Sequence, residues 1–140
     1  MVKKIREYNN FNISSNYKNS IILIGNFDGV HIGHQKLFKL AKKYQKKFKL
    51  KIGVVTFEPM PKMYFSKKLK NFRISNLNQK KFLIQKLGVD FIITKKFDKN
   101  FSRVKYFSFI QNVLYKKMKP KFIFVSNNFR FGNKRKGNVK

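Results

Sequence analysis

The sequence predicts an α/β fold in which a parallel β-sheet is flanked by helices. Short apolar runs rich in β-branched and aromatic residues alternate with longer segments whose apolar residues recur at helical spacing. That alternation is typical of strand–helix–strand units with right-handed crossovers. The residues with recognisable chemistry fall directly after the predicted strands, and parallel sheets bind ligands at the carboxyl ends of their strands. The 140 residues are expected to form one domain.

The first clear strand is the apolar run from Ser20 to Gly25, and residues 26–29 are predicted to form the turn that follows it. Residues 1–20 have weaker patterning and are expected to form an irregular strand or a lead-in. The first helix is predicted from about Gly33 to Phe48, because its apolar residues lie at i, i+3, i+4, i+7 and i+11. These residues are Leu37, Leu40, Ala41, Tyr44 and Phe48.

Three more strands and two more helices are predicted in the rest of the chain. The strands are expected at residues 51–57, 90–94 and 121–125, where isoleucine, valine and phenylalanine are frequent. The helices are expected at residues 77–87 and 105–118, and Gly88 is expected to cap the first of them in a left-handed conformation. The apolar face of the second helix is expected to contain Phe107, Ile110, Val113, Leu114 and Met118. The remaining segments are expected to be loops.

The formal net charge of +29 is the kind of signal that often accompanies nucleic-acid binding. Only five of the 34 basic residues are arginine, the side chain preferred for contacts with bases and phosphates. The lysines are spread over the whole chain, and lysine, asparagine, isoleucine and phenylalanine all have A/T-rich codons. A biased genome therefore explains the charge, and no nucleic-acid partner is expected. A basic nucleic-acid-binding module is the alternative.

The chain contains no cysteine, which excludes disulfides, zinc–thiolate sites and thiol catalysis. Its five acidic residues are too few for chemistries that need several carboxylates, such as those of two-metal nucleases. No apolar run approaches the ~20 residues of a membrane-spanning helix, and residues 1–10 lack the apolar core of a signal peptide. We therefore expect a soluble, cytoplasmic protein without a membrane partner.

The segment from Gly25 to Leu37, with the sequence GNFDGVHIGHQKL, contains the two histidines of the chain. His31 and His34 lie three residues apart where the turn becomes the first helix, so their side chains can face the same side. A helix start offers free backbone N–H groups and a partial positive charge, and imidazoles added there would bind phosphate oxygens. The simpler interpretation makes one histidine a helix cap and the other a surface residue. The glycines and Asp28 at this spacing favour a phosphate site.

Two further clusters follow other predicted strands. Asp28 and Glu58 end the first two strands, where they could act as a general acid and base, or one could orient a substrate while the other caps a turn. With two histidines, one carboxylate and no thiols, no protein-held metal site is predicted. In the last loop, Phe129 and Phe131 flank Arg130, so they could stack a flat heterocycle and hold its phosphate. Packing of that loop onto the sheet edge is the alternative.

Taken in order along the chain, these segments resemble bacterial FAD synthetase, the FMN adenylyltransferase part of the bifunctional riboflavin kinase/FAD synthetase. GNFDGVHIGHQKL is similar to the family's signature, whereas HxGH alone indicates only the wider nucleotidyltransferase superfamily. The collinear set of motifs is much more specific than HxGH. The other similar segments are Val54–Pro61, Arg73–Ser75 with Lys80 and Lys81, Gly88–Asp90, Lys96–Asp98, Phe101–Ser102, and Asn128–Gly132 with Arg135 and Gly137.

The resemblance implies a Rossmann-like nucleotidyltransferase fold and a reaction in which the phosphate of FMN attacks ATP, giving FAD and pyrophosphate, with Mg²⁺. It implies that His31 and His34 are catalytic and bind the ATP phosphates. The other residues that it assigns to ATP are Gly25, Asn26, Phe27, Asp28 and Gly29. The residues that it assigns to FMN are Glu58, Pro59, Pro61, Asn128, Phe129, Arg130 and Phe131.

The sequence departs from the family pattern in two places. Ser126 stands where a glycine is usual, and the chain ends at Lys140, before the serine-serine-threonine…arginine segment that completes the family's ATP site and before its kinase domain. We therefore expect a fold that is incomplete at the C-terminus, no riboflavin kinase activity, and adenylyl transfer that is weakened, lost or dependent on a second chain. The alternatives are a relic that binds nucleotide or flavin without turnover, and cytidylyl or pantetheine-type adenylyl transfer.

Overall fold

A parallel β-sheet forms the centre of the protein. The structure is a computed structural model, and it describes residues 5–30, 32–66, 76–126 and 130–138. Within those residues the sheet has five strands in the order β1-β4-β3-β2-β5, and every neighbouring pair is parallel. The strands are β1 (Arg6–Tyr8), β2 (Ile21–Ile24), β3 (Ile52–Glu58), β4 (Phe91–Lys96) and β5 (Phe122–Phe124). The α/β fold class predicted from the alternating patterns is confirmed.

Helices connect the strands on both sides of the sheet. The helices are α1 (Ile32–Phe48), α2 (Pro61–Phe65), α3 (Leu77–Lys86), α4 (Lys99–Ser102) and α5, which begins as an α-helix (Tyr106–Ser108) and continues as a π-helix (Phe109–Met118). Short 3₁₀ turns lie at Ser15–Tyr17, Asp28–Val30 and Asn133–Arg135. Helix α1 connects β2 to β3, α3 precedes β4, and α5 precedes β5.

The strand order reverses next to β2. From β2 the chain moves outward to β3 and then to β4, after which it returns across the sheet to place β5 on the other side of β2. Leu23 of β2 therefore pairs with Val54 on one side and with Phe124 on the other. In open parallel sheets, ligands bind in the crevice that such a reversal creates at the carboxyl ends of the strands. The topology thus places a ligand crevice beside the carboxyl ends of β2 and β5.

The two faces of the sheet have separate apolar cores. On one face, alternate strand residues such as Leu23 and Val54 pack against Phe38 and Ala41 of α1 and Ile84 of α3. On the other face, a second cluster joins the sheet to α5. Its members include Ile22, Ile24, Val55, Phe57, Phe109, Leu114 and Met118. Because helices cover both faces, β2 is fully buried and reads as a continuous apolar run.

Several element boundaries agree with the sequence predictions. Helix α3 begins after Asn76, whose side chain accepts from the Gln79 backbone in a capping box. Gly88 follows this helix with a φ of 79°, the predicted left-handed conformation. Helix α1 begins one residue before the predicted start and ends at Phe48, as predicted.

The buried faces of two helices differ from the predictions. In α1, Phe38 is buried because it packs against Phe27, whereas Leu40, predicted to be on the apolar face, is 41% exposed. In α5, Phe107 and Ile110 are exposed, and the buried residues are Phe109, Leu114 and Met118. Leu114 and Met118 are therefore buried as predicted, and Val113 packs against the same core. A π-helix closes its hydrogen bonds over five residues rather than four, so the 3.6-residue period used for the prediction does not select Phe109.

The loops contain elements that the sequence reading missed. Helix α2 begins at Pro61, in a segment that was expected to be a loop, although proline is favoured in the first turn of a helix. Helix α4 begins after Asp98, whose carboxylate accepts from the Phe101 backbone. At the N-terminus, where an irregular strand or a lead-in was expected, the three residues of β1 pair with β4. Residues 67–75, which belong to a predicted loop, lie outside the described residues.

Candidate active site

A cavity of about 720 Å³ lies at the carboxyl ends of the strands, where the topology predicts a ligand crevice. Its walls include residues that follow four different strands. Gly25 follows β2, Pro61 follows β3, Phe97 follows β4 and Ser126 lies after β5. The convergence of chemically distinctive segments at one sheet edge, expected from the sequence, is therefore present in the structure.

The turn after β2 is fixed by hydrogen bonds from β3. The Gly25 N–H donates to the Val55 carbonyl at 3.1 Å, which continues the sheet ladder by one residue. The Thr56 hydroxyl donates to the Asn26 carbonyl, also at 3.1 Å. The chain then enters the 3₁₀ turn Asp28–Val30, in which Gly29 has a φ of 72° that favours glycine. The backbone that leads into α1 is thus held in a defined path.

Phe27 supports the histidine at the start of α1. Its ring is 1% exposed and lies 5.1 Å from the imidazole of His34, edge to face, and 5.4 Å from Phe38. Nδ1 of His34 is buried, and His34 itself lines the cavity. A Cβ on Gly25 would lie only 3.1 Å from the Phe27 ring. Gly25, Phe27 and His34 therefore form one packed unit at the cavity wall.

The residues assigned to ATP by the resemblance fall into three groups. Gly25, Asn26, Phe27 and His34 line the cavity. Asp28 and Gly29 lie in the adjoining 3₁₀ turn. His31 lies outside the described residues, so its role stays a prediction.

The segment after β3 contains the first residues assigned to FMN. A cis peptide bond joins Glu58 to Pro59, and Pro61 starts α2 and lines the cavity. The Glu58 carboxylate lies 3.3 Å from the ammonium of Lys80, which is fully buried. Of the roles considered for Glu58, this ion pair favours a fixed, orienting carboxylate over a general acid or base paired with Asp28.

The segment after β5 contributes a cation and an aromatic ring. Arg130 is exposed and lines the cavity together with Phe131, whereas Asn128 and Phe129 lie outside the described residues. The Phe131 backbone exchanges two hydrogen bonds with Gly137, and its ring lies 5.6 Å from that of Phe109. Packing of Phe131 onto the fold is therefore observed, whereas its stacking on a heterocycle stays a prediction that its place on the cavity wall allows.

An aromatic wall of the same cavity was not predicted. It consists of five phenylalanines that line the cavity, namely Phe57, Phe65, Phe97, Phe101 and Phe109. The rings of Phe57 and Phe101 are stacked, with centroids 5.6 Å apart, and Phe97 meets Phe101 edge to face. The five come from β3, α2, α4, α5 and the loop after β4. Because they are far apart in the chain, no sequence spacing marks them as a group.

Three basic side chains at or near the cavity were also absent from the predicted site. Lys134 and Arg135 line the cavity, and both have left-handed backbone conformations, with φ of 56° and 53°. Lys80 is connected to the turn through Thr56, which accepts a hydrogen bond from Lys80 and donates one to the Asn26 carbonyl. One sequence signal could have found Lys80, since it precedes the buried Ile84 by four residues and so shares the apolar face of α3.

The described part of the chain contains no group of three histidine, cysteine, aspartate or glutamate side chains that could hold a metal ion. Its acidic side chains near the cavity are Asp28, in the turn, and Glu58, paired with Lys80. A divalent ion that arrives with nucleotide phosphates suits such a site, because most ligands of Mg²⁺ are then phosphate oxygens and water.

In the same described ranges, no helix is both long and apolar enough to cross a membrane.

Comparison with known proteins gives the family. The family model described as FAD synthetase matches residues 13–140. The chain belongs to the FAD synthetase family. The match includes the turn after β2, the Glu58–Pro61 segment and the Arg130–Phe131 segment, which are the three parts that meet at the cavity.

Curated relatives agree with this assignment. The bifunctional riboflavin kinase/FMN adenylyltransferase of Buchnera aphidicola subsp. Acyrthosiphon pisum is 41% identical over 91% of this chain and 41% of its own length. The protein of the same name from Escherichia coli K12 is 35% identical over 84% of this chain and 37% of its own length. The chain thus spans about two fifths of the curated relatives that it matches.

The fold is also found in a solved structure described as a macrolide-efflux protein from Streptococcus pneumoniae. That structure aligns with 93% of this chain and 43% of its own chain, with a TM-score of 0.78 and 27% sequence identity. The parallel sheet and its flanking helices are therefore an experimentally observed arrangement, which supports the Rossmann-like architecture predicted for the family.

Proposed function

We propose that the chain is an FMN adenylyltransferase domain that extends over residues 1–140 and converts ATP and FMN into FAD and pyrophosphate. In this reaction a phosphate oxygen of FMN attacks the α-phosphorus of ATP. The bond from the α-phosphorus to the oxygen that bridges the α- and β-phosphates breaks, and pyrophosphate leaves with the electron pair of that bond. The family membership and the names of the curated relatives support the proposal.

One observation supports the proposal: a single cavity is lined both by the turn after β2 and by an aromatic wall with cations. Gly25, Asn26 and His34 contribute to the first part of the lining, and Phe57 and Phe101 contribute to the second. ATP needs donors for its phosphates, whereas the isoalloxazine ring of FMN needs flat apolar contacts. A volume of about 720 Å³ lies in the range of cavities that bury small-molecule ligands.

His34 and His31 are the proposed catalytic residues. His34 lies in the first turn of α1, where the N-terminal dipole and an imidazole both favour negative charge. Charge that grows on the α-phosphoryl oxygens and on the departing pyrophosphate would be stabilised there, as positioning and electrostatics dominate phosphoryl-type transfer. His31, one turn away in sequence, is proposed to act on the same phosphates.

The FMN half is proposed to lie between Pro61 and Arg130. The phenylalanine wall would contact the flat ring, while Arg130, with Lys134 and Arg135 on the same cavity, would hold the FMN phosphate. Glu58 and Pro59 would shape the bend between β3 and α2, with Glu58 held in place by Lys80.

Mg²⁺ is proposed to enter with ATP, coordinated mainly by its phosphates. Asp28 lies in the turn after β2, and we propose that its carboxylate binds the ion through coordinated water. The ion would neutralise part of the negative charge of the phosphates.

We further propose the cytoplasm as the compartment, because ATP and FMN are both made and used there.

The test is FAD formation. The purified chain is incubated with FMN, ATP and Mg²⁺, and products are separated by chromatography. We expect FAD and pyrophosphate in equal amounts, and no FAD when riboflavin replaces FMN. A folded protein that binds FMN or ATP but forms no FAD would support the relic alternative and contradict the proposal.

A matched pair of variants separates catalysis from folding. His34→Ala is expected to lower kcat at least about a hundredfold, the usual cost of losing a group that stabilises transition-state charge. Lys46→Ala, an exposed change near the other end of the same helix, is expected to keep wild-type activity. Equal rates for the two variants would contradict the role of His34.

A further inference from the structure

A fully buried lysine links helix α3 to the strand end beside the cavity. Lys80 has no solvent exposure. Its ammonium donates to the Thr56 hydroxyl at 2.9 Å and to the Phe57 carbonyl at 3.4 Å, and it lies 3.3 Å from the Glu58 carboxylate. A buried ammonium is costly unless such partners surround it. The position is therefore defined by a specific polar network.

This network sets the direction of the Thr56 hydroxyl. An ammonium can only donate, so the Thr56 oxygen accepts from Lys80 and its one proton is directed to a different acceptor. That acceptor is the backbone carbonyl of Asn26, 3.1 Å away. Thr56 is itself fully buried, so water does not compete for the hydroxyl. Lys80 thereby determines a hydrogen bond from β3 to the turn after β2.

The turn that receives this hydrogen bond leads directly to His34. Helix α3, which carries Lys80, also packs against the 3₁₀ segment Asp28–Val30 of the same turn. Between these two attachments lies Phe27, whose φ of 50° is left-handed and rare for a bulky side chain. Such a conformation persists only when its surroundings hold it in place. Helix α3 contributes to that support by its contact with the 3₁₀ segment and, through Lys80 and Thr56, by the hydrogen bond to Asn26.

We propose that Lys80 is a positioning residue of the active site: through Thr56 it holds the turn at residues 26–29 in the conformation that presents its backbone N–H groups to a nucleotide phosphate. The nature of the ligand rests on the proposed function. The ordering of the turn does not, because it is a property of the protein without substrates.

Hydrogen–deuterium exchange of the substrate-free protein tests the ordering directly. In Lys80→Met and in Thr56→Val, amides of a peptide covering residues 25–30 are expected to exchange about tenfold faster than in the wild type, the effect of losing one buried hydrogen bond. Peptides from β4 are expected to keep their wild-type exchange. Thr56→Ser retains the hydroxyl and is expected to restore slow exchange.

The neighbouring lysine provides the control. Lys81 forms an ion pair with Glu7 at 3.0 Å, but both side chains are substantially exposed. Lys81→Met removes the same charge, one position along the same helix, without reaching the turn. Its exchange pattern at residues 25–30 is expected to match the wild type.

Steady-state kinetics give the second readout. Thr56→Val leaves the ion pair between Lys80 and Glu58 in place, so its effect is expected on ATP: the KM for ATP rises about tenfold while the KM for FMN changes less than threefold. The double variant Lys80→Met/Thr56→Val is expected to have the KM for ATP of Lys80→Met alone, because both changes break one chain of hydrogen bonds.

The outcomes decide between this role and a general structural one. Unchanged exchange at residues 25–30 in folded Thr56→Val, or faster exchange throughout the sheet, would overturn the proposal. If Lys80→Met does not fold, Thr56→Val and Thr56→Ser provide the same comparison. Absence of FAD formation by the wild type would overturn the proposed function, whereas the exchange result alone decides whether Lys80 orders the turn.

Discussion

The ring of Phe27 and the imidazole of His34 pack in a T-shaped arrangement, with their centroids 5.1 Å apart. Phe27 also packs against Phe38, which lies one turn further along α1 and is buried. The ring therefore has two neighbours on the same helix, one proposed to be catalytic and one belonging to the core. Variants of Phe27 and Phe38 can therefore distinguish an effect of the Phe27 ring on catalysis from its effect on stability.

Phe27→Leu is expected to lower kcat about tenfold, because the smaller side chain leaves His34 free to change its orientation. The cost in stability is expected to be about 1–2 kcal/mol, typical of a reduced side chain in a core. Phe38→Leu is the matched control, with a similar loss of stability and a kcat within about threefold of the wild type. Steady-state assays and urea unfolding measure both quantities, and equal losses of kcat in the two variants would exclude the orienting role.

Gly53→Ala is expected to destabilise the fold by about 3 kcal/mol, through overpacking at the centre of the sheet. The new Cβ would lie 2.1 Å from the ring of Phe91. That ring is fully buried beneath Tyr17, so it cannot move aside easily.

Urea unfolding provides the measurement, and a second variant provides the rescue. In Gly53→Ala/Phe91→Leu the smaller side chain makes room, so part of the lost stability is expected to return. Gly25→Ala, whose Cβ would approach Phe27 at 3.1 Å, is expected to cost about 1 kcal/mol or less. An unfolding free energy of Gly53→Ala equal to that of the wild type would show that the strands are packed differently.

Arg130→Gln is expected to weaken FMN binding about five- to tenfold, because the proposed contact between this exposed guanidinium and the FMN phosphate would be screened by solvent. Riboflavin lacks that phosphate, so its affinity is expected to stay the same. Quenching of flavin fluorescence measures both. Arg103→Gln removes an equally exposed arginine that does not line the cavity, and it is expected to leave both affinities unchanged. A parallel loss of riboflavin affinity would indicate that Arg130 contacts the ring.

The KM values for ATP and FMN are expected to rise about tenfold when ionic strength increases from about 50 to about 500 mM, with kcat nearly constant. Both substrates are anions, and a chain with a net charge of +29 attracts them through a field that salt screens. Initial rates over a salt series measure the effect. Constant KM values would mean that the lysines do not steer the substrates.

Much of the fold follows from local sequence patterns. Ile21–Ile24 is an unbroken apolar run, and such a run fits a strand covered on both faces. Gly88 ends α3 in the conformation expected of glycine at that position. The burial of Phe38 rather than Leu40 was not predictable in the same way, because it depends on Phe27, which is brought to α1 by the turn.

Those parts of the candidate site that directly follow a predicted strand could be predicted from the sequence. The turn after β2 and the segment that begins at Glu58 are two such parts, and both could be placed at the same edge of the sheet. The phenylalanine wall could not be predicted, since its members come from distant parts of the chain. The spacing from Ile84 places Lys80 on the apolar face of α3, but its hydrogen bond to Thr56, 24 positions away in the sequence, depends on the fold.

The central claim is that FMN receives the adenylyl group of ATP. The most direct test uses ATP labelled with ³²P at the α-position and determines which product contains the label. If the cavity brings the FMN phosphate to the α-phosphorus of ATP, the label appears in FAD, and the released pyrophosphate is unlabelled. His34→Ala then loses this transfer while Lys46→Ala retains it. Label that remains in ATP, or that is released as free AMP without FAD, would contradict the account.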